Sequence, residues 1–379
     1  MERDSRLDLA RAQPIGEVAD RLGLTLKKIT STERAGPCPS CGGRDRFAIN
    51  TARNVFNCRK CGAKGDQCAL VMLALGCDFK SALSYLAGER DVTLDPAEVA
   101  RRRARADEAR AKAEEYEARA RARAIRDARE IWHKADGGDL GPARAYLAGR
   151  GLFFKTWPPT LRCVADHPYV LGGGAKAVEH HRGPCLIAAV QNAAGQIRAV
   201  HQTWFDPARP GTKAQIQDAA LYGPSKPLVA KLVRGSKKGG AIRLTPAPAL
   251  GGVLVMGEGI ETTASAMMIE AVPGAAYWAG VDLGNMAGLM AKIPGTRNSG
   301  LPDLTDARAF TPPFGLSRLI YLMDGDSAPA ATRAKLLSGL RRALHKNPQL
   351  RAEIVAAPAG LDFNDLINGA RYGAPPQEK

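Results

Sequence analysis

The sequence predicts a multidomain α/β protein, on three observations. Four cysteines fall in two close pairs near the start, residues 96–135 are nearly all Ala, Arg and Glu, and the last third alternates apolar strand-like runs with helical stretches. The expected order is a small cysteine-clipped β unit over 1–94 and a charged helical linker over 95–135. A mixed α+β basic subdomain follows over 136–248, then a parallel-sheet α/β domain over 249–379. With 379 residues, 45% of them hydrophobic, the chain is long enough for two or three cores.

Lys and Arg total 54 against 38 Asp and Glu, a net charge of +16. Such an excess points to a polyanion, either nucleic acid or an anionic membrane surface. A membrane span is excluded, because the longest apolar run, Cys68 to Cys77, is about ten residues against roughly 20 required. Met1–Gln13 alternates charges without an apolar stretch, so no leader peptide is expected and the location is expected to be cytoplasmic. The eight cysteines are unevenly spaced, which suits a reduced compartment and a metal better than a disulfide framework.

Cys38-Pro-Ser-Cys41 and Cys58-Arg-Lys-Cys61 have the spacing of a four-thiolate zinc site. Two residues between cysteines let one tight knuckle present both sulfurs to one ion, and the second knuckle completes a tetrahedron. Gly42, Gly43 and Gly62 follow the knuckles, where positive φ is often needed. Arg46–Asn50 and Asn54–Asn57 alternate like a hairpin, so the unit reads as a zinc ribbon holding one structural Zn²⁺. Arg46 and Arg59, with Arg44, Lys60 and Lys64, supply positive charge for nucleic acid. Phe47 and Phe56 are either stacking platforms for bases or the ribbon's own core.

These residues resemble the zinc-binding domain of bacterial-type DNA primases. The likeness extends over Arg46-Phe-Ala-Ile-Asn, Val55-Phe-Asn-Cys58 and Cys61-Gly-Ala-Lys-Gly65-Asp66, and to the flanks Ile15–Gly23 and Phe79–Ala87. Cys41 stands where many replicative members have histidine; zinc accepts either.

The Ala/Arg/Glu stretch consists of strong helix formers, with Pro96 at its start where a missing N–H costs nothing. From Arg101 to Lys134 it carries 12 basic and 7 acidic residues. It reads either as a solvated spacer or as a basic arm on nucleic acid.

In the last zone, Gly252-Val-Leu-Val-Met-Gly-Glu258 leads into a helix, and Leu319-Ile-Tyr-Leu-Met-Asp324-Gly-Asp326 repeats the strand ending in acid. Glu353-Ile-Val-Ala-Ala then leads to Asp362-Phe-Asn-Asp365. Acids after separate strands gather at the carboxyl edge of a parallel sheet, where ligands bind. Clustered carboxylates need cations, and hard oxygen ligands suit Mg²⁺ or Mn²⁺.

This constellation resembles the toprim domain of bacterial-type primases, topoisomerases and some nucleases. Glu258-Gly-Ile-Glu261-Thr262 is most similar to the form in primases of plasmids, satellite phages and prophages. Replicative members often have Asp at the position of Thr262, so one metal ligand is either missing or supplied by Glu261.

Between these zones, Gly183–Val190 and Asn192–Trp204 read as a β-hairpin, followed by Lys213, Lys226, Lys231, Arg234, Lys237, Lys238 and Arg243. The zone loosely resembles the basic subdomain of primases. Arg198, His201, Lys237 and Lys238 are its expected contacts to triphosphate or template, against the plainer reading of a solvated basic surface. No Walker motif is present, so a fused helicase is not expected.

The resemblance implies a DNA primase, a DNA-templated RNA polymerase and hence a nucleotidyltransferase. It would make short RNA primers on single-stranded DNA for replication of a plasmid, phage or integrated element. It makes Glu258, Asp324 and Asp326 the catalytic residues, and these three with Asp362 and Asp365 the magnesium ligands. Implied partners are a single-stranded DNA template and ribonucleoside triphosphates, and a separate replicative helicase is a further candidate. The alternative is a toprim nuclease or a non-catalytic zinc-ribbon DNA-binding protein of a mobile element.

Overall fold

The computed structural model describes residues 5–87, 96–218, 227–293, 295–325 and 328–372. The chain groups into two compact units, Met1–Ala120 with Lys292–Arg297, and Arg121–Ala291 with Asn298–Lys379. Among the described residues no single helix is long and apolar enough to cross a membrane.

The first unit opens with helices α1 (Ser5–Ala12) and α2 (Ile15–Arg21). An antiparallel sheet follows in chain order: β1 (Lys27–Lys28), β2 (Glu33–Cys38), β3 (Gly42–Asn50), β4 (Val55–Cys58) and β5 (Lys64–Gly65). Helices α3 (Gln67–Leu75) and α4 (Phe79–Ala87) close it. Asp66 caps α3 by accepting from Ala69 N–H at 3.1 Å, and Gly76, at φ 67°, ends it in the left-handed region that only glycine enters freely. The alternation along β3 and β4 sends Phe47, Ile49 and Phe56 inward, onto Ile15, Val18, Leu70 and Leu86. Phe47 and Phe56 are 0% and 3% exposed, with ring centroids 5.4 Å apart, so both are core and neither is a stacking platform.

Helix α5 (Pro96–Lys134) is continuous. Exposed pairs Lys112–Glu108 and Arg119–Glu115, each 2.6 Å, add a few tenths of a kcal/mol apiece. Past Arg121 its character changes. Ile125, Ala128 and Trp132 are buried, and the last two join a core with Tyr169, Ile187 and Trp204. That stretch belongs to the second unit as a packing element rather than a spacer.

The second unit continues with α6 (Gly141–Gly149) and a four-stranded antiparallel sheet, β6 (Leu161–Leu171), β7 (Val178–Gln191), β8 (Ile197–Trp204) and β9 (Lys231–Gly235). Residues of β7 alternate between two cores. Cys185, Ile187 and Ala189 face the end of α5, whereas Leu186, Ala188 and Val190 face α6 and the next sheet.

That next sheet contains β10 (Ile242–Arg243), β11 (Val253–Gly257), β12 (Ala276–Ala279), β13 (Arg318–Met323) and β14 (Arg351–Ala356), in the order β10-β12-β11-β13-β14. The last four strands are parallel and β10 runs antiparallel at the edge. Residues 136–248 and 249–379 thus share a sheet through β10. Helix α7 (Ile260–Met268) follows β11, α8 (Leu283–Ala287) follows β12, α9 (Pro329–Lys346) follows β13 and α10 (Phe363–Tyr372) follows β14. The parallel strands are apolar on both sides because helices cover both faces. Leu254 and Met256 pack against Leu336 and Leu340 of α9, while Val255 packs against Ala266 of α7.

Candidate functional site

In the first unit, the two knuckles bring the four cysteine sulfurs within 4.8 Å of one another. The Cys38–Cys61 and Cys41–Cys58 sulfurs are 3.9 and 3.6 Å apart. A tetrahedral zinc with Zn–S bonds of about 2.3 Å sets its sulfurs about 3.8 Å apart, so the group fits one ion. Gly42, Gly43 and Gly62 have φ of 64°, 93° and 73°, the turns the spacing demanded. Burial pushes the Cys38 thiol up to about 12. Burial would also raise Cys58, but backbone N–H groups of Cys61 and Lys60 outweigh it and bring that thiol down to about 7. Arg46 lies over Gly43, and Arg59 is exposed and donates to the Asp45 carbonyl at 2.8 Å.

In the second unit, the chain leaves β11 for β12 on one side, while β13 lies on the other. The crevice beyond the carboxyl ends of β11 and β13 is therefore a topological switch point, the place where open α/β sheets bind ligands. Met256 is in register with Tyr321, so Glu258 and Asp324, just past them, emerge at the same edge. Both line a cleft of about 260 Å³, together with Asp362.

Four hydrogen bonds organise these acids. Thr262, 8% exposed in the first turn of α7, donates its hydroxyl to Asp324 at 2.9 Å. The Phe363 N–H donates to the other Asp324 oxygen at 3.4 Å. Gly325 N–H donates to the Leu361 carbonyl at 2.8 Å, and Gly360 N–H donates back to the Gly325 carbonyl at 2.9 Å, holding the Asp362 loop against the Asp324 loop. A Cβ at Gly325 would stand 2.0 Å from the Pro358 carbonyl oxygen, so only glycine permits this approach. Gly325→Ala is expected to part the loops and cost about 1–3 kcal/mol, measurable as a lower urea midpoint. An unchanged midpoint would show that the loops yield freely.

Burial raises the pKa of Glu258, and the charges of Asp282 and Asp324 add to it, while the Leu283 N–H and Lys231 oppose. Crowded carboxylates of this kind are what a cation relieves. Among the described residues, only the four cysteines form a ready metal cluster; Glu258, Asp324 and Asp362 line one cleft without closing on a common point. Asp326 lies outside the described residues. Asp365 is exposed, and its N–H and carboxylate exchange hydrogen bonds with Asp362 at 2.7 and 3.0 Å, a reciprocal cap on α10.

The cleft also carries basic side chains. Arg150, His201, Lys213 and Lys231 line it. Ala199, on the same face of β8 as His201, packs into the core shared with α7, which explains why His201 points to the cleft. Burial and the neighbouring Lys231 push His201 down to about 4, so its ring is neutral at pH 7. Glu261 lies 3.6 Å from both Lys213 and Lys231, and the Tyr146 hydroxyl donates to it at 3.5 Å. Burial alone would raise its carboxyl, but the two lysines bring it down to about 2. Burial lowers the pKa of Lys213, with Glu261 opposing.

Arg198, Lys237 and Lys238 are not among the residues lining the cleft. Lys237 is paired with Asp282, Lys238 is exposed, and the Arg198 carbonyl accepts from Ser236 N–H at 2.8 Å. Asp282 and Arg150 were not singled out from sequence. Asp282 caps α8 by accepting from Asn285 N–H at 2.8 Å. Val281 before it has φ 74°, a conformation that costs a β-branched residue energy, and it lines the cleft.

A family model described as a domain of unknown function (DUF7146) matches residues 122–244. No curated protein matches the chain. Solved structures similar to it are bacterial primase domains. The zinc-binding and RNA polymerase domains of the Aquifex aeolicus primase share 15% identity at a TM-score of 0.35, over 97% of this chain and 82% of that one. The RNA polymerase domain of Mycobacterium tuberculosis primase DnaG shares 16% identity at a TM-score of 0.34, over 65% and 79%. A DNA primase domain from Pseudomonas aeruginosa shares 14% at 0.33, over 61% and 68%.

Proposed function

We propose that the chain is a DNA primase that copies single-stranded DNA into short RNA primers from ribonucleoside triphosphates, in the service of a plasmid, phage or integrated element. The observation that carries the reading is one cleft lined by both acids and cations. Glu258, Asp324 and Asp362 share it with Arg150, Lys213 and Lys231 at the switch point of a parallel sheet. That is the charge pattern nucleotidyl transfer needs. The motifs resembling the primase zinc-binding and toprim domains support the same reading.

Glu258, Asp324 and Asp362 would hold a divalent cation, with Asp326 as a further candidate. Once bound, the cation neutralises phosphate charge and lowers the barrier to attack on the α-phosphate. The chain's own residues do the rest. Lys213, Lys231 and Arg150 bind the triphosphate tail and stabilise the departing pyrophosphate. Thr262 orients Asp324 through its hydroxyl. The four-cysteine unit, closed to catalysis by its fourth sulfur, offers Arg46 and Arg59 to the template.

The test is incubation of the pure protein with single-stranded DNA, labelled ribonucleotides and Mg²⁺ or Mn²⁺. Template-dependent short RNA is expected. DNA cleavage without synthesis would favour the nuclease reading, and binding without either product would favour a non-catalytic DNA-binding protein.

A further inference from the structure

We propose that Glu261 is the resident counter-ion of a polyphosphate subsite, holding Lys213 and Lys231 convergent in the cleft and setting, by its own charge, how strongly they take an anion. The proposal rests on the triphosphate reading of these cations.

The three charged groups come from separate places in the chain. Lys213 follows β8, Lys231 starts β9, and Glu261 sits in the first turn of α7. They nevertheless meet at one atom, Glu261 Oε1, which is 3.6 Å from each ammonium. The side chains are only 15%, 35% and 30% exposed for Glu261, Lys213 and Lys231. Two ammonium groups brought so close, partly out of water, repel unless an anion stands between them. A carboxylate oxygen between two lysines offers them the same chemistry as a phosphate oxygen.

The surroundings fix this arrangement. Tyr146, 1% exposed, holds Glu261 with its hydroxyl. Arg150 donates to the Gly211 carbonyl at 3.2 Å, and its buried Nε has no hydrogen-bond partner among the described residues. His201 contributes no charge, being neutral at pH 7. Lys213, Lys231 and Arg150 less Glu261 leave two positive charges in this part of the cleft, whose other acids are Glu258, Asp324 and Asp362. Glu261 Oε1 is thereby committed to the lysines.

Calorimetric titration of the full chain with inorganic tripolyphosphate, without divalent metal, tests this. Lys213→Gln is expected to weaken binding about tenfold, the usual loss for one charge-assisted contact. Adding Glu261→Gln to that variant restores the net charge and should return binding to within about threefold of wild type, a coupling that only interacting residues show. The double variant removes both members of a partly buried pair, which is gentler on folding than removing one. The same rescue is expected for Lys231→Gln. A double variant as weak as the single lysine variants would overturn the role of Glu261 and leave the triphosphate reading standing. Lysine variants that bind like wild type would overturn both.

Discussion

Asp324→Asn should abolish primer synthesis while leaving single-stranded DNA binding intact. Asp324 is fixed by two donors, Thr262 at 2.9 Å and the Phe363 N–H at 3.4 Å, so its carboxylate is held at the cleft rather than free in solvent. Asparagine preserves the shape and can still accept from Thr262. It removes the charge that would hold a divalent cation, and metal charge stabilisation is worth several kcal/mol of barrier. At about 1.4 kcal/mol per tenfold, the expected loss is a hundredfold or more. DNA affinity should persist, because removing an acid does not weaken attraction to phosphate. Asp365→Ala is the contrast. It removes one half of the cap on α10, which costs about 1 kcal/mol of stability and should spare most activity. Full synthesis by a folded Asp324→Asn protein would refute the metal-based mechanism. Loss of DNA binding alongside activity would point to a structural role for Asp324 and favour the non-catalytic alternative.

The acids at the sheet edge were readable because the information is local. An apolar run followed at once by Glu258 or Asp324 places the acid at a strand end whatever the rest of the chain does. The cysteine knuckles were readable for the same reason, two residues between sulfurs leaving little choice of geometry. The basic residues of the cleft were legible only in part. His201 lines it as expected, but Asp282 pairs with Lys237 and Lys238 is exposed. Arg150, Lys213 and Lys231 reach the cleft from a helix end, a loop and a strand separated by many residues, and no short-range pattern announces that convergence. The two-residue strand β10 escaped for a related reason, since it exists only through its pairing with Trp278 and Ala279. In α5 the signal was present but diluted. Ile125, Ala128 and Trp132 recur at three and four residues, a buried stripe hidden by the charged composition around it. Phe47 illustrates the limit of alternation, which shows that one face of a strand is buried without saying what covers it; α2 and α3 supply Val18 and Leu70.

The double variant Cys58→Ser, Cys61→Ser should lose its metal and unfold the first unit. Wild-type protein purified without added metal is expected to carry about one equivalent of zinc, as a closed four-sulfur site implies. The stake in stability is large, because zinc binding to small metal-clipped domains is worth about 10–16 kcal/mol and appears directly as folding energy. The zinc site and the apolar core of the first unit are interlocked. Cys38 and Cys58 are themselves part of its core, packed with Phe47, Phe56 and Leu70, so releasing the knuckles loosens the sheet that carries those rings. Serine hydroxyls are poor zinc ligands and leave two thiols, too few to close a tetrahedron. The second unit has separate cores built on Trp204, Leu254 and Tyr321, so its thermal transition should survive in the variant while the first unit's disappears. Elemental analysis and a two-transition melting curve read out both halves of the expectation. Zinc retained at wild-type level in the folded double variant would show that the ion sits elsewhere. Loss of zinc with both transitions intact would show that the unit folds on its apolar core alone.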